Sequence, residues 1–208
     1  YAFRKYKIKT VENKHTHLVP EELEQLERLS LTDKHMKLQK SLDAFLFCCY
    51  AGMRYSDFTN LSKKNIVDIN QETWLIYKSV KTGTEVRLPL YLLFAGKGIV
   101  ILNKYCNNLE DFFRLRDNSN INKDLIIIAK LAGLSKKISF HTARHINATL
   151  LIYNGVNITT VQKLLGHKSV KTTQVYTNIM DMTIVHDLEK IKQAALGIKK
   201  KTDNSFNK

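Results

Sequence analysis

Residues 65–90 read NIVDINQETWLIYKSVKTGTEVRLPL, and they decide the fold class. NIVDI, TWLIYKS and EVRLPL are runs of β-branched or aromatic side chains, which fit a pleated, half-buried surface. The last two are joined by the turn signal KTGT, so a small three-stranded antiparallel sheet is predicted, with Lys81 at the tip of its hairpin. On both sides of this segment the apolar spacing is helical. The chain is therefore read as α+β and mainly α-helical.

Upstream, Pro20 followed by EELEQLERL marks a helix start, because proline suits the first turn and acids favour the positive end of the helix dipole. HMKLQKSLDAFLFCCYAG carries apolar residues at helical spacing and ends on Gly52, which predicts a second, well-buried helix. Arg54 and SDFTNL follow, with Ser56 a candidate cap for a short third helix. Downstream of the sheet, helices are predicted over about 98–106, 121–132, 140–153, 158–165, 169–176 and 182–196. Gly133, Gly155 and Gly166 close helices in this series, and Asn157 caps the one at 158.

At 208 residues and 44% hydrophobic content, the chain is long enough for a domain with a real core. Cys48 and Cys49 are adjacent and Cys106 is distant, which gives neither a C-x-x-C pair nor an even disulfide framework. Reduced, structural thiols in a cytosolic protein are expected. No run approaches the ~18 apolar residues of a membrane helix, and no signal-peptide pattern opens the chain. Tyr1 stands where a start methionine would, which suggests a fragment without its N-terminal part.

Thirty-three Lys and Arg against nineteen Asp and Glu give a net charge of +14, which points to a polyanion such as nucleic acid. Residues 1–11 carry +4 and residues 198–208 carry +3, as solvated tails often do. Between Leu125 and Met180, however, fifty-six residues contain no carboxylate, while Lys130, Lys136, Lys137, Arg144, Lys163, Lys168 and Lys171 supply +7. These three segments account for the whole +14, so the rest of the chain is neutral. A carboxylate-free basic stretch of this length fits a surface that faces phosphates.

The chemistry-bearing residues are individually ordinary. His141 and Arg144 in FHTARH lie three apart, on one face of a helix, within reach of a single phosphate. His145 is four residues from His141, a spacing that can chelate zinc; but Ala143 and Arg144 lie between them where a metalloprotease has its glutamate, and a guanidinium repels a dication. Arg54 just past a helix end could satisfy carbonyls, and Lys81 could be a solvated turn residue. His167 could pair with a helix dipole, and Tyr176 could be a core aromatic. Their conjunction in a phosphate-seeking chain is what carries weight.

AGMRYSDFTNL, a lysine in a β-hairpin, HTARHINATLL and LLGHKSVKTTQVYT occur in that order. Together they resemble the catalytic domain of the tyrosine site-specific recombinases, the phage-integrase family. The resemblance covers residues 17–180, and the spacings Arg144 to His167 (23) and His167 to Tyr176 (9) are specific in combination. It implies the helical fold of DNA breaking-rejoining enzymes. It also implies phosphate binding by Arg54 and Arg144, general acid catalysis by Lys81, a phosphate cradle completed by His141 and His167, and Tyr176 as nucleophile. Asp57 matches an acidic position that steadies such sites. Ala143 replaces a frequent leucine, and Val19 replaces a frequent Ser/Thr cap.

By the same resemblance, 1–16 is a linker from a missing N-terminal DNA-binding domain and 181–208 is a C-terminal helix with a basic tail. That helix, MDMTIVHDLEKIKQAAL, places Ile184, Leu188 and Ile191 on one side. On its own terms it packs in its own domain; the resemblance implies exchange with a neighbour in a DNA-bound homotetramer. The implied partner is duplex DNA at specific sites, in the cytoplasm at the nucleoid, with no cofactor, metal or membrane. Two other classes stay open: a type IB topoisomerase and a non-catalytic DNA-binding module.

Overall fold

The computed structural model describes residues 18–176. Its elements run α1 (Pro20–Glu27), α2 (Gln39–Ala51), α3 (Tyr55–Phe58), β1 (Ile66–Ile69), β2 (Glu72–Lys78), β3 (Glu85–Pro89), α4 (Lys97–Lys104), α5 (Leu109–Phe113), α6 (Asn118–Leu131), α7 (Phe140–Tyr153), α8 (Ile158–Leu165) and α9 (Val170–Gln174). The α+β, mainly helical reading holds. The three strands form an antiparallel sheet in the order β1-β2-β3, with Leu75 opposite both Ile66 and Leu88.

α2 is the axis of the domain. Every residue from Ser41 to Ala51 is buried, Ser41 and Asp43 with polar partners and the rest mostly apolar, and α1, α4, α5, α6 and α7 pack against it. Phe58 of α3 meets Phe47, Phe112, Phe113 and Phe140 at ring-centroid distances of 5.9, 5.4, 5.5 and 6.1 Å. That aromatic knot pins α3, α5 and α7 to α2, and each fully buried Phe contributes ~1.5–3 kcal/mol of burial. α2 and α7 also lock through polar atoms, since Asn147 Nδ2 donates to the carbonyls of Cys49 and Tyr50 at 2.9 Å each. Gly52 closes α2 in the left-handed region at φ 66°, where an added Cβ would stand 2.7 Å from Asn147 Oδ1.

Several expected boundaries shift. The second helix begins as a 3-10 segment, Asp33–Leu38, before α2 proper. Ser56 does not cap α3: Arg54 is the extended N-cap residue, and its carbonyl already accepts the Phe58 amide at 2.9 Å. α6 starts at Asn118 because Asp117 caps it, accepting from the Asn120 amide at 3.0 Å. α9 stops at Gln174, two residues short of the tyrosine. α5 had no sequence counterpart; two phenylalanines seated in the aromatic knot hold its five residues helical. Val19 lacks a capping side chain, and its amide instead donates to the Glu22 carboxylate at 2.9 Å. Cys48 and Cys49 are buried and free, whereas Cys106 is exposed. The predicted helix over 182–196 and the terminal segments 1–16 and 181–208 lie outside the described residues. Among those described, no helix is long and apolar enough to cross a membrane.

Candidate active site

Two helices end on left-handed glycines, α2 at Gly52 and α8 at Gly166, and a helix C-terminus leaves carbonyls without intrahelical donors. Arg144 answers both. Its Nη1 donates to the Gly52 carbonyl at 2.8 Å and its Nη2 to the Leu165 carbonyl at 2.6 Å, with the side chain 1% exposed. The negative ends of two helix dipoles thus face one guanidinium. Burial pushes its pKa down to about 10, and the nearby Arg54 charge pushes the same way, so it remains cationic at neutral pH.

Arg54 sits where the chain leaves Gly52 and turns into α3. Its Nη1 meets Asp57 Oδ2 at 3.4 Å and Ser79 Oγ at 3.2 Å. Asp57, 1% exposed, is the hub: Oδ1 accepts the Val80 amide at 2.8 Å and Oδ2 accepts the Ser79 hydroxyl at 3.3 Å. Ser79 and Val80 open the β2–β3 turn, so this carboxylate ties Arg54 to the hairpin that carries Lys81. On the other side of the tip, the Thr82 hydroxyl donates to the Gly166 carbonyl at 3.2 Å. Lys81 is exposed between these two tethers and forms no ion pair among the described residues.

Gly166 delivers the next side chain. Its φ of 63° and its approach to Val86, whose Cγ2 would lie 2.6 Å from an added Cβ, make glycine obligatory. His167 follows, fixed by its backbone: its amide donates to the Gln162 carbonyl at 3.0 Å, and Gln162 Nε2 donates to the His167 carbonyl at 3.0 Å. Its Nδ1 meets Thr173 Oγ1 at 2.9 Å. Burial, then Arg144 and Arg54, push its pKa down to about 4, so the imidazole is neutral near pH 7.

Tyr176, 7% exposed, comes two residues after α9, its amide donating to the Thr173 carbonyl at 3.0 Å. Its ring lies nearly parallel to His167, 6° off with centroids 6.4 Å apart, and 5.3 Å from the His145 ring. Burial raises the phenol pKa, while the nearby Arg144 and Arg54 charges oppose the rise. His141 is exposed at the start of α7, edge-on to His145 at 4.5 Å. Among the described residues, no third His, Cys, Asp or Glu joins this pair as a metal-binding group.

The chain's sequence matches the model of the phage integrase family over residues 17–182. The chain belongs to the phage integrase family. Among curated relatives it is 30% identical over 159 residues to tyrosine recombinase XerC of Rickettsia prowazekii (strain Madrid E), covering 72% of this chain and 49% of the relative. Among solved structures it resembles the XerA recombinase, with a TM-score of 0.66 and 26% identity over 84% of this chain and 64% of the other. A lambda integrase tetramer bound to a Holliday junction shares the fold at TM-score 0.64 and 19% identity, over 82% of this chain and 50% of the other. The chain spans about half the length of the curated relatives it matches.

In this phage integrase family domain, Arg54, Arg144, His167 and Tyr176 converge, with Lys81 on a hairpin tethered to the same group. The rings of His141 and Tyr176 both meet the His145 ring. Four contributors were not singled out from sequence. Ser79, Thr82, Gln162 and Thr173 are polar residues whose partners lie in other elements or across a turn, so no local pattern marks them. Tyr77 on β2 is a fifth: its hydroxyl is buried without a hydrogen-bond partner among the described residues, and burial followed by Asp57 pushes its pKa up.

Proposed function

We propose that this chain cuts and rejoins duplex DNA through Tyr176, for site-specific strand exchange between two duplexes. The observation that carries this reading is a buried phenol whose ring lies parallel to that of His167 and close to the Arg144 charge, beside a second arginine that is 15% exposed and so open to an anion. Arg54 and Arg144 bind the nonbridging oxygens of the scissile phosphate, where charge accumulates as a fifth oxygen approaches phosphorus; planar, permanently charged guanidiniums suit that task. Neutral His167 adds an uncharged hydrogen bond. Tyr176 Oη attacks phosphorus, its proton passes toward His141, and the bond to the 5′-oxygen breaks. Lys81 gives that oxygen a proton. A 3′-phosphotyrosyl bond then holds the energy for rejoining, and reversal by a different 5′-hydroxyl completes exchange. Every group needed is a side chain of this protein, so no metal, nucleotide or cofactor enters the scheme.

Further expectations follow for the whole protein. Recognition of specific sites calls for an N-terminal DNA-binding domain before residue 1 and the linker 1–16, and strand exchange calls for a homotetramer on synapsed DNA. The test is a pool of nicked duplexes with randomised cores, incubated with the chain and captured after denaturation. A protein–DNA 3′ adduct is expected in EDTA as in buffer, and Tyr176→Phe should abolish it while binding persists. An adduct surviving in that variant overturns the assignment of Tyr176. Relaxation of supercoils without exchange between two duplexes would instead favour a type IB topoisomerase.

A further inference from the structure

His167 is useful to a phosphate only in one of its two neutral forms. With the proton on Nε2 the ring can donate to an oxygen; with the proton on Nδ1 it presents a lone pair to an anion. Thr173 decides between them. It is wholly buried, and among the described residues its hydroxyl has a single hydrogen-bonding partner, His167 Nδ1 at 2.9 Å. Were Nδ1 protonated, the threonine proton would be buried with no acceptor, a costly state. With Nδ1 bare, the hydroxyl donates to it and Nε2 carries the proton.

We infer that Thr173 is a positioning residue that holds His167 as its Nε2–H tautomer, so that seating the tyrosine segment sets the histidine's donor. The link is structural: Thr173 lies on α9, its carbonyl accepts the Tyr176 amide at 3.0 Å, and its hydroxyl reaches back six residues to His167. Nucleophile and phosphate donor are thereby ordered together. A chain with α9 lifted away would keep His167 in place through Gln162 but lose the choice of tautomer. The inference rests on the recombinase reading for its purpose, though not for its geometry.

The experiment uses the 208-residue chain with histidine ring nitrogens labelled with 15N, and assigns His167 by its loss in His167→Gln. The wild type and Thr173→Ser should show the Nε2–H pattern. Thr173→Val, close in volume and without a donor, should shift His167 toward a tautomer mixture. On the nicked duplex recovered from the pool selection, Thr173→Val should slow adduct formation several-fold, up to roughly tenfold for one lost orienting hydrogen bond, and Thr173→Ser should restore it. In the His167→Gln background, Thr173→Val should add nothing. An Nδ1–H wild type, or equal slowing in both backgrounds, overturns the inference. Absence of any adduct from the wild type overturns the recombinase reading and leaves the tautomer to the nitrogen shifts.

Discussion

Replacing Asp57 with alanine removes the carboxylate that joins Arg54 to the Lys81 hairpin. Three hydrogen bonds go with it: the Val80 amide at 2.8 Å, the Ser79 hydroxyl at 3.3 Å and Arg54 Nη1 at 3.4 Å. Breaking a fully enclosed ion pair costs ~3–5 kcal/mol because the surviving charge is stranded. Arg54 keeps 15% exposure and its contact with Ser79, which places the loss at the low end, ~3 kcal/mol. For a domain of this size that is a fall in Tm of roughly 6–12 °C, measurable by calorimetry or circular dichroism. Asp57→Asn keeps an oxygen for the Val80 amide and should lose roughly half as much. Cleavage should suffer beyond stability. With its tether gone, the hairpin no longer aims Lys81, and a misplacement of ~1 Å costs on the order of 10²-fold. Adduct formation at 10 °C, where the variant remains folded, separates the two effects. If Asp57→Ala melts within 2 °C of wild type (about 1 kcal/mol or less) and cleaves at the wild-type rate, the hub role is wrong.

Gly166→Ala should destabilise by ~2–4 kcal/mol, from left-handed strain plus a Cβ 2.6 Å from Val86 Cγ2, and adding Val86→Ala should recover only the packing share in urea titrations. His167 makes a pH prediction: its folded pKa of about 4 lies below the ~6.5 of an unfolded histidine, so the unfolded chain binds the proton first. The stability difference between wild type and His167→Gln should therefore be constant above ~6.5 and shrink as pH falls from there toward 4; a flat difference contradicts the buried, neutral imidazole. Lys81→Ala should cleave ordinary DNA ~10²–10⁴-fold more slowly yet recover on a substrate with sulfur at the 5′-bridging position, while Arg144→Ala stays slow on both. Equal defects on both substrates would move the acid to Lys78. DNA binding should weaken steeply with salt as phosphate contacts release counterions; a flat profile would contradict the reading of residues 125–180.

The sequence alone determined the features that depend on near neighbours. β-branched runs around KTGT specified the sheet, and apolar spacing and glycine stops specified α7 and α8 to the residue, whereas Arg54, Lys81, His141, Arg144, His167 and Tyr176 were marked as a candidate site by the family resemblance their motifs carry. Periodicity and turn chemistry act over a few residues, so they can be read from the chain. Tertiary structure decided the rest. Arg144 is buried because two helices end beside it, Asp57 is a hub because a hairpin folds back onto α3, and α5 is helical because its phenylalanines find a pocket. Thr173 lies close to His167 in sequence, yet only the turn between α8 and α9 aims its hydroxyl at Nδ1. Each of these depends on elements brought together by packing, and the free energy that selects them is absent until the core has closed.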